Sequence, residues 1–281
     1  MGEHRLCKPG VRGSNPLDST KLQGAKVVRA EAITLEDMEK RVQRFSIPNR
    51  ADEIAYGEAC LNGMFSAFPM ISVGDKDAAC RAFVKKLTHN YGKRGQGVKE
   101  TENEKQRRLY IERQHRVGKL AEFVAYRTLK DVFVKLTPPD LRIYQSKQKS
   151  FDWDMKCKPY NFAVKGCDHA GQWPISWMFQ HRDSEGYGCD THIFKRTPTA
   201  NEYVVFVVMD MENLTGRIAA LVPLEVMLDA DVFEPPISKS LINYKVVIYW
   251  DTLIAKKLAP TQSKRIKWIV DAVGEKNGKE G

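Results

Sequence analysis

Long hydrophobic runs are missing from this sequence. A membrane-spanning helix needs roughly 18 or more consecutive apolar residues, and the longest run here, Val204 to Met209, is short, β-branched and strand-like. The opening stretch, MGEHRLCKPGVRGSN, has no apolar core and does not read as a secretory signal. Cysteine is sparse: six residues (Cys7, Cys60, Cys80, Cys157, Cys167, Cys189) are scattered over 281 positions. In a chain with 42% hydrophobic residues that pattern fits reduced, cytoplasmic thiols better than a disulfide framework. A phosphate-cradling glycine loop, a G-x-G-x-x-G turn, internal repeats and heptad arrays are likewise missing.

Acid is also in short supply. The chain carries 45 Lys and Arg against 35 Asp and Glu, a net charge of +10. The imbalance is local: from Lys76 to Lys149 there are 19 basic residues and 8 acidic ones, so the remainder is close to neutral. A basic block of this kind points to a polyanion, most simply DNA; a solvated basic face without a partner is the plain alternative. Within it, Lys93 and Arg94 in a glycine-rich loop, Arg116 and Lys119 on a helix, and Lys147 and Lys149 in a turn are the candidate phosphate contacts, with Gln172 downstream.

The patterning predicts a mixed chain. Residues 1–30 read as a flexible arm and 31–100 as a helical region. That region holds helices over 34–48, 51–68 and 75–89, two of them stopped by Pro48 and Pro69. A long helix is expected from about Glu102 to Val132, apolar at Val117, Leu120, Ala121, Val124 and Ala125, with Glu122 just off that stripe. Strands are expected at 141–144, 203–209, 217–222 and 244–250, and short helices at 172–180 and 224–228. An amphipathic helix opens near Ser263, and residues 274–281 form a polar tail. The fold class is α/β: a mixed central sheet of about five strands flanked by helices, over residues 101–273, behind the helical N-terminal region.

One stretch organises the rest, Ser150 to Asp168 (SFDWDMKCKPYNFAVKGCD). Phe151, Trp153 and Met155 alternate with Asp152 and Asp154; Phe162, Val164 and Gly166 alternate with Ala163, Lys165 and Cys167. A turn falls between them, so the stretch reads as a hairpin. A two-residue loop at Pro159-Tyr160 would set Asp154 opposite Lys165, Cβ atoms about 5 Å apart. An acid and a lysine so held are either a solvated ion pair or half of a metal-assisted hydrolytic site.

A helix with Glu122, then strands with Asp152, Asp154 and Lys165, resembles the PD-(D/E)XK nuclease superfamily, the restriction-endonuclease-like fold. Gly118-Lys119-Leu120-Ala121-Glu122 resembles its helical G-x-x-G-E pattern, Asp154 or Asp152 its first acid, and Ala163-Val164-Lys165 its E-x-K. The resemblance covers roughly Arg116 to Asp210. It implies a metal-dependent DNA endonuclease using Mg²⁺ or Mn²⁺, in the cytoplasm of a bacterial or phage-infected cell, and a homodimer where both strands are cut. Glu122, Asp152 and Asp154 would hold metal, and Lys165 would stabilise charge on the phosphate. Ala163 departs from the pattern, because a methyl group cannot ligate a cation. It is open to three explanations: an inactivating substitution, an acid that has migrated to Asp152, Asp154 or Asp168, or a silent nuclease that only binds DNA.

Two other groupings carry less. Cys167 with His169 and Cys189 with His192 have the residue types of a zinc site but not its usual spacings. Trp173 and Trp177 read as core rather than base-stacking platforms.

Overall fold

A computed structural model describes residues 68–89, 102–143, 153–170, 175–180, 190–194, 197–230, 232–237, 241, 245–258, 269, 271–273 and 275. The arm, the helix expected over 34–48, all but the last residue of the one expected over 51–68, most of the C-terminal helix, and Lys93, Arg94, Lys147, Lys149, Asp152, Gln172, Trp173 and Cys189 lie outside the described residues.

The architecture is mixed α/β, in layers. The chain runs β1 (Ile71–Ser72), α1 (Gly74–His89), α2 (Glu102–Leu129), β2 (Met155–Cys157), β3 (Tyr160–Asp168) and β4 (Ser176–Gln180). It continues through α3 (Thr191–Phe194), β5 (Glu202–Asp210), β6 (Thr215–Pro223), α4 (Leu224–Asp229), β7 (Lys245–Tyr249) and α5 (Trp250–Ala255). Five strands form one sheet in the order β1-β6-β5-β3-β2, and β4 pairs with β7 in a separate two-stranded sheet. β3 and β5 are parallel; every other pairing is antiparallel.

β5 reads EYVVFVVMD, and all nine residues are buried. A strand that is apolar on both faces needs a cover on both. On one face, Tyr203, Val205, Val207 and Met209 join Phe162 and Val164 of β3 and Val117, Leu120, Ala121 and Val124 of α2 in one core. On the other, Val204, Phe206 and Val208 join Ala163 and Cys167 with Trp177 and Phe179 of β4 and Val246 and Ile248 of β7. The Trp177 indole N–H donates to the Val207 carbonyl at 3.1 Å, which ties the small sheet to the large one. β1 joins the large sheet through β6, and α1 packs on α2, so residues 71–89 share the body that α2 and the sheet form.

Helices α1 and α2 and strands β5, β6 and β7 follow the sequence pattern to within a few residues at their ends. Three expectations do not hold. Residues 176–180 are a strand, not the end of a helix: Trp177 and Phe179 alternate with Met178, and β7 supplies the backbone partners. Residues 141–143 take no strand conformation. The hairpin pairs Met155 with Phe162 and Cys157 with Tyr160, so the two-residue turn is Lys158-Pro159, and Asp154 precedes the strand instead of facing Lys165. Both turns hold the proline, which has no N–H to give to a ladder; Tyr160 is what moves from turn to strand, where its ring packs edge-on against Phe133, 5.1 Å between centres.

α2 approaches β3 closely at Gly166. A Cβ built there would meet the Ala121 Cβ at 2.5 Å and the Val117 carbonyl oxygen at 3.3 Å, both in the facing helix. Gly166→Ala is therefore expected to destabilise the protein by about 1–3 kcal/mol, the usual cost of overpacking. The check is the midpoint of urea unfolding, and a midpoint equal to the parent's would mean that α2 is not held this close.

Candidate functional site

Glu122 lies on α2 and is buried, 7% exposed. One turn earlier, Lys119 donates from Nζ to both of its carboxylate oxygens, at 2.7 and 2.8 Å. The same ammonium lies 5.4 Å from the centre of the Phe83 ring on α1. Burial first, and then the charge of Asp154, push the Glu122 carboxyl up to about 8, with Lys119 acting in the opposite direction and Asp140 adding to the rise. For Lys119, burial works against the charged form, but Glu122 outweighs it and the net shift is upward. Burial and the nearby Glu122 also push the Cys80 thiol up to about 11, which leaves it unreactive.

Asp154 reaches this cluster from just ahead of β2. Because β2 begins at Met155, the Val164 N–H on the neighbouring strand lies next to no further β2 residue. The Asp154 carboxylate accepts that N–H at 2.7 Å, which fixes its position at the sheet edge. Glu122 and Asp154, 32 positions apart in the sequence, are thus electrostatic neighbours, with Lys119 between charges of opposite sign and Asp140 nearby.

Lys165 and Ala163 are elsewhere. Along β3, Phe162 and Val164 face α2, whereas Ala163 is fully buried in the core on the other face. Lys165 follows Ala163 by two and points the same way: its Nζ sits 4.8 Å from the Phe179 ring centre. It donates to both oxygens of Asp190 at 3.0 Å. Asp190 also accepts the Gln180 N–H at 2.9 Å, and Gln180 takes a bond from Lys245 at 3.2 Å. Burial pulls the Lys245 ammonium down from its ordinary value, opposed by Asp190 and reinforced by Lys165. The expected Asp154–Lys165 pair is therefore replaced by Lys165–Asp190: Asp154 lies ahead of β2 and accepts the Val164 N–H, while Lys165 points to the face that carries Phe179.

Two expected DNA contacts are engaged within the protein: Lys119 with Glu122, and Arg116 with Asp77 at 2.5 Å. Cys167 is buried, and His169 Nδ1 lies 3.1 Å from the Met209 carbonyl. Among the described residues, no group of three or more His, Cys, Asp or Glu side chains is gathered as metal ligands; Cys189 and the His192 side chain, half of the Cys-His grouping, lie outside them. Nor is any helix among them long and apolar enough to cross a membrane. Asp140, Asp190 and Asp77 were not singled out from the sequence. Asp190 and Asp77 acquire a partner from a distant element, Lys165 and Arg116, whereas Asp140 pairs locally with Arg142 and Asp77 also with Arg81, pairings that read as ordinary surface ion pairs.

Comparison with family models, curated proteins and solved structures gives no match to this chain.

The Glu122 shift has a definite sign. An ordinary glutamic acid titrates near 4.5 and folded Glu122 near 8, so between these values the folded state keeps a proton that the unfolded chain has lost. The stability owed to this group is full below about 4.5 and declines as pH rises to about 8. Glu122→Gln, which mimics the neutral acid, should therefore lose less stability between pH 5 and 8 than the parent. Urea unfolding across that range measures the slopes; identical slopes would place the proton uptake on another group.

Proposed function

We propose that this chain is a metal-dependent phosphodiester hydrolase acting on DNA, a nuclease of the PD-(D/E)XK kind with Glu122 and Asp154 as its acid pair. The observation that carries the reading is the electrostatic coupling of those two carboxylates, the charge of Asp154 being felt at buried Glu122. They come from a helix and a strand edge, and like charges brought together raise the free energy of the fold unless a cation or proton intervenes. A buried carboxyl with a strongly raised pKa beside a second acid is the electrostatic signature of many catalytic sites.

The donor set suits a hard cation. Mg²⁺ usually takes one or two protein carboxylates and completes its shell with water and substrate phosphates, and Mn²⁺ accepts the same ligands. Glu122 and Asp154 would supply the two, and the site already draws in a positive charge, the Lys119 ammonium. When bound, such an ion polarises the phosphoryl oxygen and acidifies its water. The remaining work belongs to the chain. Asp154 is oriented by the Val164 N–H, and Lys119 balances Glu122 and would carry positive charge to the edge where a phosphate arrives. Lys165, held by Asp190 across the sheet, positions that face rather than the acid pair. A homodimer would present two such sites to the two strands.

A second reading, DNA binding without cleavage, is favoured by Ala163. Where the superfamily pattern has an acid, this chain has a methyl group inside an apolar core. Plasmid cleavage separates the two. The hydrolase reading expects nicking with Mg²⁺ or Mn²⁺ that EDTA abolishes, and a loss on the order of 10²-fold or more in Glu122→Gln and Asp154→Asn, the scale of removing one preorganised electrostatic contact. Lys165→Ala should cost much less. Salt-sensitive DNA binding with no cleavage, or cleavage only after Ala163→Glu, would assign the chain to the second reading. Binding indifferent to salt would sink both.

A further inference from the structure

A second polar site lies beside the α1–α2 contact, toward the N-terminal half of α2, and is lined by none of the acid-pair residues. Helices α1 and α2, the end of β3 and the β5–β6 turn enclose a pocket of about 580 Å³. That volume is in the range of small-molecule sites. Arg81 and Lys85 reach it from α1, and Arg113 and Arg116 from α2. Its position is informative: β3 and β5 are parallel, and ligands of open α/β sheets collect outside the carboxyl ends of parallel strands.

The cations are held in a particular way. Arg81 and Arg116 each give only the Nε–H to Asp77, at 2.6 and 2.5 Å, one to each carboxylate oxygen. Two guanidinium groups are thereby fixed side by side around one acid, and burial notwithstanding, their hydrogen bonds hold Asp77 below its usual range. Arg113 spends one Nη on buried Asp168 at 2.5 Å. Among the described residues, the other Nη groups of Arg81 and Arg116 and the ammonium of Lys85 have no carboxylate partner. Glu112 is balanced by Arg108 at 2.9 Å and by the Thr88 hydroxyl at 2.8 Å. The turn that closes the pocket is rigid, because Asp210 accepts the Glu212 and Asn213 N–H groups at 2.9 and 3.0 Å. Val84, Leu109 and Met211 supply apolar wall beside the charges.

Planar guanidinium groups with free paired N–H donors match phosphate oxygens two at a time. The geometry points to a binding site for a phosphomonoester with an apolar or aromatic remainder: a mononucleotide, or the terminal phosphate of a nucleic-acid chain. The Arg81–Asp77–Arg116 clamp and Lys85 hold the phosphate. This inference does not depend on the acid-pair reading, since no residue is shared and binding, not cleavage, is what it concerns.

The test is a competition titration on the full chain in EDTA, with a fluorescent single-stranded oligonucleotide carrying a 5′-phosphate, its 5′-hydroxyl twin, 5′-AMP and inorganic phosphate. The expected result is one of two. The phosphorylated oligonucleotide binds about tenfold more tightly than its twin, which assigns the site to chain ends. Alternatively, 5′-AMP binds by calorimetry with no such preference, which assigns it to free nucleotides. In either case Arg81→Gln and Lys85→Gln, both on the exposed side of the clamp, should each weaken phosphate-dependent binding by about tenfold. Their thermal unfolding should match the parent's. Equal affinity for both oligonucleotides together with no 5′-AMP binding would overturn the proposal. So would phosphate-dependent binding that both variants retain in full, or binding of inorganic phosphate as tight as that of 5′-AMP, which would mark an adventitious ion only.

Discussion

The rest of the fold depends on β5 being buried on both faces. Nine consecutive buried residues leave no face of that strand for water, so one cover must be a helix layer and the other a second sheet. β3, hydrogen-bonded to β5 in parallel along its whole length, inherits the same partition. Its odd-numbered side chains, Ala163, Lys165 and Cys167, go to the small sheet, and its even-numbered ones, Phe162, Val164 and Gly166, to α2. Gly166 lets the helix approach β3 closely at Val117 and Ala121. The alternation that makes the core is therefore also what separates Glu122 from Lys165.

Periodicity carried much of this into the sequence. Helices α1 and α2 show apolar stripes at helical spacing, and β5 is a short β-branched run that only a central strand accommodates. The failures share a cause. QWPISWMFQ contains Trp and Phe at positions that suit either a helix face or one face of a strand. The choice was made by the β7 backbone, 65 residues away, as in the Gln180–Lys245 pairing. The hairpin register failed for a similar reason, since moving the turn by one residue changes the partner of every strand position. The second sheet left no mark of its own.

The charge count behaved in the same manner. A block with 19 basic residues reads as an open cationic face, yet Arg81, Arg108, Arg113, Arg116 and Arg127 each hold a carboxylate. Asp168 and Asp75 lie outside the block and neutralise charge within it, which no local count can register. What remains for a polyanion is the unspent edge of each guanidinium and the lysines, a more directional arrangement than net charge suggests. Glu122 and Asp154 were named together from their order along the chain, which resembles a known pattern; what the structure adds is that the charge of Asp154 is felt at Glu122.

The Glu122–Lys119 pair is poorly explained as a stabilising device. Taking two charges out of water costs several kcal/mol per ion after relaxation, and replacing a buried pair by apolar groups is often neutral or favourable. Here burial first, and then the charge of Asp154, favours the proton on Glu122, against the single Lys119 ammonium. A leucine at 122, beside the apolar stripe of Val117, Leu120 and Val124, would be buried at no electrostatic cost. Asp154 is different in kind: its bond to Val164 gives it a structural role whatever Glu122 does. The fold thus supplies a fixed acid at the sheet edge, and α2 places beside it a carboxyl group whose charge state is set by whichever cation or proton is available. That dependence on a third party, rather than the presence of acids as such, is what makes this cluster the strongest candidate for chemistry in the described residues.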